Sequence, residues 1–179
     1  MISLGVLFWI FILLFALIGA IRGWTKEILV TFSAFMGIFA ITILEEYLPF
    51  VQTYLASNPV TSQVWLRIIV FSVLIFFGYQ TPNIPRFQQD ERLARGRLQE
   101  ILLGFIIGGV NGYLIYGSIW HFLADANYPF PIIIPPIAGT PAGEAALNLV
   151  SYLPPVWLTP PAIYYAVAGA FIFVLVLFI

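Results

Sequence analysis

The stretch IGAIRGWTKEILV, Ile18 to Val30, sets two bases, an acid, two glycines and a tryptophan between two almost unbroken apolar runs. Read as part of a soluble protein it would be an ordinary loop. The composition around it excludes that. Of 179 residues, 61% are hydrophobic, 17% aromatic and only 8% charged, whereas soluble domains are about a quarter charged. The chain belongs in lipid, and the stretch is a turn between two spans.

Working outward from that turn, apolar runs fall at 4–21, 28–44, 64–78, 101–123 and 162–179. A hydrocarbon core about 30 Å thick takes roughly 20 apolar residues of helix. The expectation is an all-α, polytopic transmembrane bundle of about five spans, with no separate soluble domain. The first run lacks a basic leader and is followed by Arg22 rather than a small-residue cleavage site, so it reads as a retained helix. There is no cysteine, and the net charge of −1 gives no basic surface for nucleic acid.

Six of the seven bases fall in two alternate loops: Arg22 and Lys26 after the first span, and Arg86, Arg92, Arg95 and Arg97 between the third and fourth. By the excess of Lys and Arg in cytoplasmic loops, these loops face the cytoplasm, the N-terminus is outside and the C-terminus inside. Arg22, Gly23, Trp24, Lys26 and Glu27 then form a tight cytoplasmic hairpin, its bases among anionic headgroups and Trp24 at the interface. The opposite side carries Glu45, Glu46, Asp125 and Glu144.

Two extracytoplasmic segments, 45–62 and 124–161, are more than connectors. In the first, Tyr47, Leu48, Phe50, Val51, Tyr54 and Leu55 recur at helical spacing, as in an amphipathic helix lying on the membrane surface. Between Tyr128 and Pro161 stand nine of the 13 prolines, which rules out a continuous helix. Only Ala142–Leu153 reads as helical, stopped by Pro154-Pro155. The two segments together predict a compact cap over the bundle.

In the fourth span, Gly104, Gly108 and Gly112 recur every four residues, a ridge on which another helix can approach backbone to backbone. A weaker counterpart in the first span offers Ala16 and Ala20 on one stripe and Gly19 and Gly23 on another. Packing within the chain explains the ridge more simply than a dimer. The exceptional base, Arg67, lies inside the third span, where a guanidinium needs an anion. Glu45 or Glu46 is its expected partner and Asp125 the next.

The run Ile21-Arg22-Gly23-Trp24-Thr25-Lys26-Glu27 at the end of the first helix, with Glu100, Leu103-Gly104, Gly108 and Asn111-Gly112 in the fourth, resembles the colicin V production protein family of bacterial inner-membrane proteins. The resemblance covers residues 1–158 and leaves 162–179 as an additional C-terminal transmembrane helix. It implies a protein of the bacterial cytoplasmic membrane concerned with export and envelope homeostasis, without an agreed biochemical activity.

The residues themselves give no catalytic constellation: one histidine, no cysteine and an adjacent pair, Glu45-Glu46, whose side chains diverge by about 100° on a helix. The expectation is a non-enzymatic protein acting by helix packing and by contacts with lipid and other integral membrane proteins. Two alternatives remain open. One is an accessory or assembly subunit of a respiratory or photosynthetic complex, and the other a passive path for lipid or a small molecule. No motif calls for a cofactor beyond bound lipid. His121 could ligate a chlorin magnesium or bond a quinone, with an interfacial histidine hydrogen-bonded beside Trp120 as the plainer reading. The polar residues inside the spans, Thr31, Ser33, Thr42, Ser72, Asn111 and Ser118, speak against proton or ion coupling. The topology is tested by labelling Thr25→Cys and Ser57→Cys in sealed membranes: an impermeant maleimide should reach them from opposite faces, and labelling from one face would reverse the assignment.

Overall fold

The computed structural model describes residues 3–80 and 94–178, so Arg86 and Arg92 lie outside the described residues. Every regular element among those described is an α-helix: α1 (Leu4–Arg22), α2 (Trp24–Tyr47), α3 (Pro49–Ser57), α4 (Val60–Tyr79), α5 (Ala94–Asp125), α6 (Pro141–Val150), α7 (Pro154–Trp157) and α8 (Ala162–Phe178). Four of them, α1, α2, α4 and α5, are long and apolar enough to cross a membrane. The chain is thus a multi-pass helical membrane protein. We call the end at the α1–α2 turn the hairpin end, and the end where α2 and α5 finish the cap end.

The turn is tighter than the apolar pattern indicates, because α2 already begins at Trp24. A single residue, Gly23, joins α1 to α2 with φ +85°, a conformation that glycine adopts without steric penalty. A side chain there would also meet the Glu100 carboxylate, with Oε1 2.8 Å from the added Cβ. So short a joint leaves α1 little contact with α2, and α1 instead runs antiparallel along α5.

That seam is built on glycine. A Cβ on Gly108 would strike the Phe15 carbonyl oxygen and lie 2.9 Å from the Gly19 Cα. One on Gly104 would strike the Gly19 carbonyl oxygen, and one on Gly112 would lie 2.9 Å from the Ile12 Cα. In lipid, where apolar surfaces gain nothing by leaving water, such close approach is what holds two helices together. On the other side of α5, α2 packs against α4, which puts the Phe71 ring over Gly37 and Ser33 against Gly78. The core between them joins Val30, Ala34, Ile38, Phe71, Leu114 and Phe122. The two remaining span hydroxyls of α2, on Ser33 and Thr42, donate to their own Leu29 and Ile38 carbonyls at 2.9 and 3.0 Å, which satisfies them without a partner helix.

The cap differs from its expectation in two respects. Pro154 and Pro155 do not merely stop a helix: α6 ends at Val150, and the two prolines open α7, the first-turn position where a missing N–H is harmless. The cap also lies beside the bundle rather than over it. Pro154 packs on Gly117 of α5, and Ala146 lies against Gly5 of α1. Trp120 donates from Nε1 to the Tyr128 hydroxyl at 3.2 Å, and burial raises the pKa of that phenol above its ordinary value. The C-terminal helix α8 has 17 residues, about 25 Å of rise, and falls short of the four long helices. It packs along α2, with Tyr164 edge-on to Phe39 at 6.0 Å and Phe171 against Phe32 at 6.5 Å.

Gly108→Leu is expected to force α1 and α5 apart and to cost about 3 kcal/mol or more, the upper range for overpacking a filled seam. Unfolding by titrated sodium dodecyl sulfate in mild detergent measures it. Gly96→Leu, at a position with open space around it, should leave the midpoint unchanged.

Candidate functional site

Charge inside a membrane bundle marks the place to look for function, and the described residues hold it in two clusters, one at each end. At the hairpin end the sequence places Glu27 four residues into α2, about 6 Å along the axis from Gly23. The helix turns its side chain inward, and Glu27 is fully buried. Arg22, at the end of α1, follows it: Nη1 reaches the Glu27 Oε1 at 2.5 Å, and Nη2 donates to the Tyr79 carbonyl at 3.3 Å. The guanidinium lies 4.4 Å from the centre of the Tyr79 ring, a cation–π distance.

The other carboxylate oxygen belongs to α5. Asn111, also fully buried, donates from Nδ2 to the Glu27 Oε2 at 2.8 Å and to the Glu27 carbonyl at 2.9 Å. Its Oδ1 accepts from the Thr31 hydroxyl at 2.6 Å. Every polar atom of the Asn111 amide is therefore used; α1, α2 and α5 meet at one carboxylate, and α4 joins them through the Arg22 guanidinium. Arg22 thus pairs with the buried acid while its side chain stays partly exposed. The sequence reading placed Glu27 in the turn and treated Thr31 and Asn111 as isolated span residues. The available signal was the spacing of Glu27 and Thr31, one helical turn apart on one face, with Asn111 the only amide inside the spans.

At the cap end, Arg67 of α4 forks onto Glu45 of α2, with Nε to Oε1 at 2.6 Å and Nη2 to Oε2 at 3.1 Å. Its Nη1 donates to the Asp125 Oδ2 at 2.6 Å, so one base ties the cap ends of α2, α4 and α5. Glu46, named beside Glu45 as a partner, makes no ion pair among the described residues, although it lines a cavity beside the cluster. This cavity, of about 330 Å³, opens between Arg67, His121, Asp125, Ile38, Pro155 of α7 and Thr159 beyond it. His121 and Trp120, neighbours in sequence, face different partners. Trp120 packs on Phe8 at the α1 side, while His121 lines the cavity, and its Nδ1 makes no hydrogen bond among the described residues.

The two clusters are 18 residues apart on α2, from Glu27 to Glu45, which is about 27 Å and close to the thickness of a hydrocarbon core. Chemically both are closed ion-pair networks: each guanidinium is held by carboxylates and carbonyls of the bundle, and among the described residues no three histidine, aspartate or glutamate side chains gather as a metal site. No family model, curated protein or solved structure matches the chain.

Removing one member of the hairpin-end pair leaves a buried charge alone, which costs about 3–5 kcal/mol, whereas replacing both with apolar groups can be neutral. Arg22→Met, which leaves the fully enclosed Glu27 without its base, should therefore be strongly destabilised in detergent unfolding. Arg22→Met with Glu27→Leu should recover most of the loss. A double variant as unstable as the single one would mean that the pair is not the cause.

Proposed function

We propose that the chain is a non-enzymatic protein of the bacterial cytoplasmic membrane, of the kind its resemblance to the colicin V production family implies. The Gly23 turn faces the cytoplasm, and the protein works through helix packing and contacts with other integral membrane proteins in envelope homeostasis or export. The observation that carries this reading is the commitment of both half-buried guanidinium groups to acceptors within the bundle. A site that moves a charged solute needs groups free to change partner; here they serve as ties between helices. What is left for other molecules is apolar. Val6, Leu13 and Leu17 on α1, and Leu102, Ile106 and Val110 on α5, are exposed, and such faces suit lipid or neighbouring helices. The same mechanism would serve an accessory subunit of a larger complex.

The cap-end cavity favours a second reading, a passive path for a small molecule or lipid. The non-helical residues Leu158, Thr159 and Pro160, after α7, line it, and non-helical backbone at membrane depth is tolerated where it borders a cavity. Below it, Ala34, Ile38 and Leu114 close the way with buried apolar side chains.

Purification from native membranes in mild detergent, followed by mass spectrometry and an absorption spectrum, separates the readings. A membrane protein co-isolated in constant ratio is the expected result. A lone chain carrying only phospholipid would overturn the partner reading in favour of the path, and a pigment band would favour the chlorin reading.

A further inference from the structure

The proline-rich segment reaches well below the cap end of α5. Asp125 ends α5 at the cap end, and Gly117 stands eight residues before it, about 12 Å further into the bundle. Yet Pro154 packs on Gly117, with its Cδ 2.7 Å from where a Cβ would stand. One turn deeper, the Tyr113 hydroxyl donates to the Tyr152 carbonyl and accepts from the Trp157 Nε1 at 2.9 Å. The chain re-enters α8 at the same depth. Tyr164 meets Phe39, six residues and about 9 Å inward of Glu45.

Further along the cap, a groove of about 390 Å³ runs between Leu4 and Leu7 in the first two turns of α1 and the loop Ile132–Ile137. Of its two side-chain hydroxyls, Thr140 is used in both senses, donating to the Ile137 carbonyl and accepting from the Gly143 N–H, and Ser3 accepts from the Val6 N–H. The rest of the lining is apolar side chains, and no charged side chain borders the groove. Outside it, Ile132 is 94% and Ile137 62% exposed. From residue 126 to the C-terminus Glu144 is the only charge, and nine prolines between Tyr128 and Pro161 remove nine backbone donors that lipid could not satisfy.

We propose that residues 130–158 are sunk into the leaflet at the cap end, and that the groove between α1 and Ile132–Ile137 holds an acyl chain of a bilayer lipid. The groove is continuous with the apolar, lipid-facing start of α1, and this continuity argues for lipid over a protein partner.

The chain has no cysteine, so single thiols can be introduced cleanly. Ile132→Cys, Ile137→Cys and, as a water-exposed control at the hairpin end, Gln99→Cys carry the environment-sensitive fluorophore nitrobenzoxadiazole. They are reconstituted in phosphatidylethanolamine–phosphatidylglycerol vesicles. The labels at 132 and 137 should emit to the blue of the control, lose at least half their intensity to lipid doxyl-labelled at acyl carbon 5, and resist aqueous iodide. Iodide quenching equal to that at 99, with no doxyl quenching, would overturn the proposal. So would a label shielded from both quenchers, which would mean a protein, such as a second copy of this chain, covers the loop. Ile132 is so exposed that its replacement does not disturb packing, and Ile137 provides an independent second position.

Discussion

A carboxylate that water cannot reach sets the terms for this bundle. Glu27 is fully enclosed, and an ion in a medium of low dielectric constant persists only where protein groups replace the water it has lost. Arg22 brings the end of α1 to it, Asn111 brings α5, Thr31 holds the amide in place, and Tyr79 brings α4 to the guanidinium. Each of these contacts fixes the rotation of its helix about its own axis. The apolar faces that remain then fall where the core needs them, with Val30 and Ala34 one and two turns above the acid.

The opposite end repeats the solution with different residues. Arg67 lies between Glu45 and Asp125 and gathers the ends of three helices. With both ends tied, the middle can be held by shape alone. Gly19 nests against Gly104 and Gly108, and Phe71 lies over Gly37, contacts that need no hydrophobic drive because backbone atoms meet directly. Polar ties at the ends and dry glycine contacts between them are complementary: the first give orientation, the second distance.

Much of this architecture was legible in the sequence because its signals are local. Apolar runs of about twenty residues mark the long helices by length alone, the four-residue glycine spacing marks a packing ridge, and Arg67 among apolar neighbours demands an acid. The direction of Arg22 was not legible. Whether a base at a turn faces headgroups or folds back depends on an acid five residues later and an amide 84 residues beyond that acid being brought together, and periodicity carries no such information. The depth of the proline-rich segment was hidden for a related reason. Prolines announce that a helix cannot continue but not how far the chain sinks before α8, which is decided by Gly117 leaving room for Pro154.

The one-residue joint at Gly23 bears on the order in which the molecule is made. Helices enter the bilayer as the chain is synthesised, N-terminal segments first, and α1 cannot lie along α2 across so short a link. Its true neighbour, α5, emerges some 80 residues later. During that interval the Gly19 surface has only lipid against it, while Glu27 already has its nearest counter-charge, Arg22, five residues away. The acid is thus neutralised by a local contact long before the distant amide arrives. The seam that brings the two backbones closest together is among the last contacts to close, so a nascent chain halted after α4 would present that glycine surface to whatever helices lie nearby.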